Sequence, residues 1–309
     1  MSYPPEFAKT VHRIFGAAGR DWLPQLPDIL AQCREMWGLP EGRPCPTMSI
    51  NYIEFTTTPD GRPAALKVGF PHEDIYTEME ALALYDGCGA VQLLASDRDR
   101  AALLLQRALP GTLLWQRGDN REQTRIAAAA MKALFRPVPE QTVLPHFSRW
   151  TERAFRLTRT EWDLQERWPR DLLDRAEEIM TELTQDLDDD VVLHGDLHHE
   201  NILWDDDAGW LVIDPKGVIG SRCLEVGRYI QNQLPAGIDP EVREALVRER
   251  IEVFSDELAM PVRDVVAGAL VDCVLSHVWC FEESEPPDAE WYEGIELGYL
   301  LCRLLDGER

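Results

Sequence analysis

Val191-Val192-Leu193-His194-Gly195-Asp196-Leu197-His198-His199-Glu200-Asn201 decides the reading of the fold, together with its continuation: Ile202-Leu203-Trp204, a turn at Asp205-Asp206-Asp207-Ala208-Gly209, then Trp210-Leu211-Val212-Ile213-Asp214-Pro215-Lys216-Gly217. Apolar, β-prone runs bracket two polar loops, and the runs on either side of the aspartate turn predict a hairpin. Asp196 and Asn201 stand five positions apart on a tight loop, so both can face one point, and the short hairpin returns Asp214 to the same place. The three adjacent aspartates, running into Ala208-Gly209, read as a solvated turn rather than a metal site.

An Asp, an Asn and a later Asp in that order are what phosphoryl transfer requires. A carboxylate must lie beside the attacking hydroxyl, and oxygen ligands must hold Mg²⁺ on the nucleotide phosphates. Asp196 fits the first role, and Asn201 and Asp214 fit the second.

Upstream, Leu23, Leu26, Ile29, Leu30 and Cys33 predict an amphipathic helix between Trp22 and Trp37. Met48 to Phe55 and Ala64 to Val68, separated by Asp60-Gly61, predict a hairpin, and Glu73 to Tyr85 predicts a helix that stops before Gly87. Val91 to Leu94 and Ala102 to Gln106 are short apolar runs, and Leu109-Pro110-Gly111 breaks the pattern. Beyond it, Ile126, Ala130, Met131, Leu134 and Phe135 step with helical period from Gln123, and Asp171 is expected to cap a helix carrying Leu172, Ala176, Ile179 and Leu183. The expected architecture is α+β and bilobal. Residues 1–108 form a small β-rich lobe, with a hinge at about 103–109. Residues 109–309 form a larger, mainly helical lobe whose one clear β element is the 202–213 hairpin.

Composition narrows the function. With 55 acidic and 31 basic residues the formal charge is −24, which repels nucleic acid and anionic membranes and suits a cationic partner. No stretch reaches the length of uncharged apolar sequence that a membrane span needs, and no apolar run succeeds a basic start, so a cytoplasmic location is expected. The seven cysteines contain no CxxC pair and read as reduced thiols. His277 and Cys280 have no second ligand pair to make a structural zinc site.

The loop pattern H-G-D-x-H-x-x-N resembles that of the aminoglycoside phosphotransferases, a group with the protein-kinase-like fold. Within it, the narrower resemblance is to the streptomycin 6-phosphotransferase and hydroxyurea phosphotransferase family. Ile213-Asp214-Pro215-Lys216-Gly217 carries that match, with Asp86-Gly87-Cys88-Gly89-Ala90-Val91-Gln92-Leu93-Leu94, Ala102 to Arg107 before Pro110-Gly111, and Leu66-Lys67-Val68-Gly69-Phe70-Pro71. The resemblance runs from Trp22 to about Asn232 and implies an ATP- and Mg²⁺-dependent kinase acting on the hydroxyl of a small molecule.

Carried over residue by residue, it makes Asp196 the catalytic base, Asn201 and Asp214 the Mg²⁺ ligands, and Lys67 the phosphate-binding lysine. The partner of Lys67 would be Glu78, or in its place Glu80. Gln106, Arg107 and Ala108 would line the adenine pocket through main-chain atoms, and His194 would brace the loop. Lys216 either touches phosphate or substrate or faces solvent. Two departures stand out. No glycine-rich loop precedes Lys67, which leaves Ser49 as the candidate to cover the phosphates, and Glu200 stands where relatives often have Gly, on the acceptor side.

A protein kinase would need a peptide-docking segment ending in A-P-E. Here Leu224-Glu225-Val226-Gly227 comes soon after Asp214 and looks like a helix start, which favours small-molecule acceptors. Downstream, Asp272, Glu282, Glu283, Glu285, Asp288, Glu290, Glu293 and Glu296 are interleaved with Trp279, Phe281, Trp291 and Tyr292. The cluster suits a guanidinium or ammonium ring, or else forms a solvated helix face. Trp279, Glu282, Glu283, Glu200 and Lys216 are therefore the candidate acceptor residues. Hydroxyurea or another metabolite, or a non-catalytic nucleotide-binding role, are the alternative readings, and the sequence does not resolve monomer from dimer.

Overall fold

The computed structural model describes residues 3–160, 169–185, 188–283 and 289–307. The chain divides into two compact units, residues 1–111 with 204–211, and residues 112–203 with 212–309. The tip of the second-lobe hairpin thus groups with the first unit.

The first unit opens with helices α1 (Pro5–Trp22) and α2 (Leu26–Trp37) and continues through β1 (Arg43–Pro44), β2 (Tyr52–Thr57), β3 (Pro63–Val68), α3 (Glu73–Tyr85), β4 (Leu93–Asp97) and β5 (Ala102–Gln106). The five strands form one antiparallel sheet in the order β1-β2-β3-β5-β4. Side chains alternate across a sheet, so the two faces have different duties. Tyr52, Ala64, Leu66 and Val68 pack with Phe7, Trp22, Leu26 and Leu30 of the N-terminal helices into one core. Glu54 on that face is fully buried, and Arg34 of α2 satisfies it, Nε donating to Oε1 at 2.8 Å. The opposite face carries Lys67, which the register places between Ile53 and Leu103. α3 ends at Asp86 in the left-handed conformation, where Gly87 takes over the turn.

The second unit is mainly helical. Its elements are α4 (Asn120–Leu134), β7 (Arg136–Pro137), α5 (Phe147–Thr160), α6 (Arg170–Leu183), β8 (Asp190–Leu193), β11 (Val218–Ser221), α7 (Val226–Gln231), α8 (Pro240–Leu258), α9 (Val262–Glu283) and α10 (Ala289–Leu305). β6 (Pro110–Leu113) precedes α4 in sequence, and the hairpin β9 (Ile202–Asp205) and β10 (Gly209–Val212) lies between β8 and β11. α9 buries apolar side chains along its length, from Val265 and Val266 through Leu275 to Val278, because α6, α7, α8 and α10 all pack on it.

Three readings of the sequence change here. The hairpin is not the second unit's one β element: β8 and β11 pair antiparallel with Leu193 opposite Val218, so residues 194–217 leave and return at a single point. Four-residue runs such as these declare themselves as strands only once paired. Asp171 does not cap its helix, since Pro169 holds that position; Asp171 lies in the first turn and accepts the Tyr299 hydroxyl at 3.2 Å. Asp205 is not solvated. It is buried, and its carboxylate accepts the N–H groups of Asp207, Ala208 and Leu109.

Candidate active site

The excursion between β8 and β11 is held by His194. Its Nδ1 accepts the Asp196 N–H at 3.1 Å, which leaves the proton on Nε2, and Nε2 donates to the Ile213 carbonyl at 2.9 Å. The His194 carbonyl accepts N–H groups from Lys216 and Gly217. Full burial pushes this imidazole down to about 4, so it is neutral at physiological pH and acts as a brace. The Ile213 N–H donates to the Asn201 carbonyl at 3.0 Å, which sets Asp214 next in sequence to a residue anchored on Asn201. Gly195 lies at φ +78°, and a Cβ there would meet Val218 and the Trp150 ring at 2.8 and 3.0 Å. Only glycine lets the loop lie against that wall.

Asn201 is buried, and its Nδ2 donates to the Asp196 carbonyl at 2.9 Å, so its Oδ1 is the atom left to accept or ligate. Among the described residues, no three His, Cys, Asp or Glu side chains gather into a metal site built from protein alone. A donor set of one amide oxygen and the Asp214 carboxylate fits Mg²⁺, which keeps waters and completes its shell with substrate phosphates.

Asp196 presents a half-buried carboxylate. Arg228 of α7 donates through Nε to Oδ1 at 2.8 Å, and no donor among the described residues reaches Oδ2. Burial pushes this carboxyl upward, but Arg228 foremost, followed by His198 and Lys216, outweighs it and holds the group below the ordinary carboxylate range. It is thus ionised and able to take a proton. Two supporting groups carry no sequence signal. Glu225 lies beneath the loop and accepts the His194 N–H at 2.6 Å and the Gly195 N–H at 3.2 Å, and burial pushes its carboxyl up to about 8. Arg228 is the other.

In the first unit Lys67 and Glu78 form a buried ion pair at 2.6 Å, whereas Glu80 is half-buried and does not meet the lysine. The segment expected to line the adenine pocket is more committed than the sequence indicates. The N–H groups of Gln106, Arg107 and Leu109 go to Gln92 O, Pro63 O and Asp205 Oδ2, and the Ala108 N–H meets no acceptor among the described residues. Gln106 also receives the Gln92 N–H on its side chain, and the Arg107 guanidinium lies 3.9 Å from the Phe55 ring centroid. Ser49 is exposed in the bend before β2.

On the acceptor side, Trp279 packs edge-on against Trp150, centroids 5.7 Å apart, and Trp150 in turn faces Gly195 of the loop. Glu200 is already engaged: Oε2 accepts from His198 Nδ1 at 2.7 Å and Oε1 from the Gln233 amide. Asp272 is buried and bonded to Gln231, while Glu293 and Glu296 pair with Arg243 of α8. Asp272 is therefore no part of an open acidic surface, and Glu293 and Glu296 share one arginine. The side chains of Glu282 and Glu283 lie outside the described residues.

The fold and the loop together define a small-molecule kinase of the protein-kinase-like class. A choline kinase from Cryptosporidium parvum superposes over 91% of this chain and 96% of its own with a TM-score of 0.62, at 12% identity, which establishes the shared fold. Residues 37–284 match the model of the aminoglycoside/hydroxyurea antibiotic resistance kinases, and the chain belongs to that family. It is similar to the hydroxyurea phosphotransferase of Kitasatospora aureofaciens, with 28% identity over 88% of this chain and 86% of that one. It is also similar to the streptomycin 6-kinase of Streptomyces griseus, with 25% identity over 91% of each. The chain is therefore an ATP-dependent phosphotransferase with an alcohol group as acceptor. No helix among the described residues is long and apolar enough to cross a membrane.

Proposed function

We propose that the protein transfers the γ-phosphate of ATP to a hydroxyl of a small cationic acceptor of the streptomycin type. The carrying observation is the Asp196 carboxylate, ionised and held through one oxygen by Arg228, with the other oxygen open to a hydroxyl proton. Asp196 takes that proton as the acceptor oxygen attacks. Asn201 and Asp214 would hold Mg²⁺, which when bound neutralises phosphate charge, and Lys67, kept in place by Glu78, would bind the phosphates. Ala108 would meet adenine through its N–H, flanked by Gln106 and Arg107, and Ser49 would cover the phosphates from the bend before β2. The Trp150–Trp279 pair beside the loop supports a cationic acceptor, since an indole face attracts guanidinium and ammonium groups. Lys216 lies close enough to influence Asp196 electrostatically, which supports a role in meeting phosphate or substrate.

The test is nucleotide consumption with Mg²⁺·ATP and streptomycin. The wild type should turn over, and Asp196→Asn should lose roughly two to four orders of magnitude in kcat. A flat rate across a panel of aminoglycosides would remove the acceptor assignment. A second reading, hydroxyurea as acceptor, is favoured by the likeness to the Kitasatospora enzyme, and the same assay with hydroxyurea separates the two. A protein that binds nucleotide without turnover in either assay would be the non-catalytic alternative.

A further inference from the structure

Arg228 reaches beyond Asp196 to a second set of groups in α9. The residue stands between two carboxylates on opposite sides. Its Nε donates to Asp196 Oδ1 at 2.8 Å, and its Nη1 donates to Ser276 Oγ at 2.9 Å. Ser276 is buried in α9, and its hydroxyl donates to Asp272 Oδ2 at 3.3 Å. The Gln231 amide bridges the same two groups, reaching Ser276 Oγ at 3.0 Å and bonding Asp272 Oδ2. Gln231 and Arg228 lie three positions apart in α7, on one side of that helix, so one turn of helix delivers both side chains to α9.

Among the described residues Asp272 has no cation of its own at bonding distance, yet it is only 4% exposed, with Arg228 as the nearest compensating charge. A buried carboxylate is costly unless it is bonded and balanced, so its presence among the buried apolar side chains of α9 calls for a structural return. That return is the orientation of the Ser276 hydroxyl: with its proton directed at Asp272, its lone pairs are left for Arg228 and Gln231. The guanidinium is thereby fixed at one end by α9 and can hold Asp196 at the other.

We propose that Arg228 is the positioning residue for the catalytic base, and that Ser276, Asp272 and Gln231 are its anchor. By occupying Oδ1 the guanidinium sets the carboxylate plane and leaves Oδ2 as the atom that receives the acceptor proton. The inference rests on Asp196 being the base, and its consequences are separable from that assignment.

Crystal structures of the wild type and of Arg228→Gln test the geometry directly. In the variant the Asp196 carboxylate should rotate or split over two orientations, while the His194–Ile213 and Lys67–Glu78 contacts persist. An unmoved Asp196 would overturn the proposal. If Arg228→Gln does not fold, Ser276→Ala serves instead, and there Arg228 should lose its fixed orientation; an unmoved guanidinium would overturn the anchor.

With streptomycin as the probe acceptor, Arg228→Gln should lower kcat about 10²-fold, the size expected when a reacting group is displaced by about an ångström. ATP KM should stay within about twofold, because the effect falls on the proton transfer and not on nucleotide binding. Arg228→Lys should recover part of the loss, and in the Asp196→Asn background Arg228→Gln should cost nothing further. Equal losses in both backgrounds, or a parallel rise in ATP KM, would overturn the proposal. Should Asp196→Asn itself leave turnover intact, the base assignment fails; should the wild type ignore streptomycin, the acceptor assignment fails, and the crystal comparison still decides the role of Arg228.

Discussion

The Glu225 carboxylate lies directly beneath His194, taking its backbone N–H at 2.6 Å, and its other oxygen takes the N–H of Gly195 at 3.2 Å. A buried acceptor that serves two buried donors cannot be removed cheaply, since each orphaned N–H costs about 1–3 kcal/mol. Glu225→Ala should therefore cost several times what Glu225→Gln costs in urea unfolding, because glutamine keeps one acceptor. Turnover should fall in the alanine variant as the loop loses its floor. Equal unfolding midpoints for the two variants would contradict this.

Three buried groups weigh most clearly on the pH dependence of stability; His277, also pushed down by burial, adds to their acid side, and Asp272, pushed up by burial, opposes it. His194 and His199 are pushed down to about 4 and about 3, chiefly by burial, while Glu225 is pushed up to about 8 by the same cause. Between pH 8 and 6.5 the folded chain holds a proton on Glu225 that the unfolded chain releases, so stability rises as the pH falls. Below 6.5 the unfolded chain binds protons on both histidines and the folded chain refuses them. Stability then declines with acidification, by a net of about 1.4 kcal/mol per pH unit once Glu225 is set against the two histidines. Urea unfolding should show a maximum near pH 6.5, and Glu225→Gln should steepen the acid limb and flatten the alkaline one. A profile that rises steadily toward pH 5 would refute the assignment.

Lys67 and Glu78 are almost completely buried. Removing one partner takes away the buried counter-charge at 2.6 Å from the other, at about 3–5 kcal/mol, whereas removing both relieves that penalty. Lys67→Met and Glu78→Leu should each lower stability more than the double variant does, and all three should weaken ATP binding, measured by calorimetry. Additive destabilisation in the double variant would show that the pair is not coupled.

Glu200 already bonds His198 and Gln233. A direct carboxylate–guanidinium contact with an acceptor would be worth about 1.5–3 kcal/mol, or 10- to 150-fold in binding. With both oxygens engaged, Glu200→Ala should change the acceptor KM by no more than about threefold, well below that range. A tenfold or larger rise would place Glu200 among the acceptor ligands.

Legibility in the sequence is set by chemistry that dictates spacing. Asp196, Asn201 and Asp214 are marked by their order and by the strand-like runs around them, and the helix from Glu73 to Tyr85 by its period. Arg228 and Glu225 are not legible, because they reach the loop from about thirty positions away and nothing in a short helical segment shows which side chain points inward. Asp205 misleads for a related reason: a turn aspartate looks the same in sequence whether its carboxylate faces water or three backbone N–H groups. The acidic run near the C-terminus hides the fact that Arg243, about fifty positions earlier, pairs with both Glu293 and Glu296.

One imidazole ring joins the backbone of Asp196 to that of Ile213. The segment that carries Asp196 and the segment that carries Asp214 are consequently yoked into a single cassette, and neither can drift without dragging its counterpart. A lesion at position 194 would be felt at both ends at once, so this buried ring, which touches no reactant, should tolerate replacement as poorly as the groups it aligns.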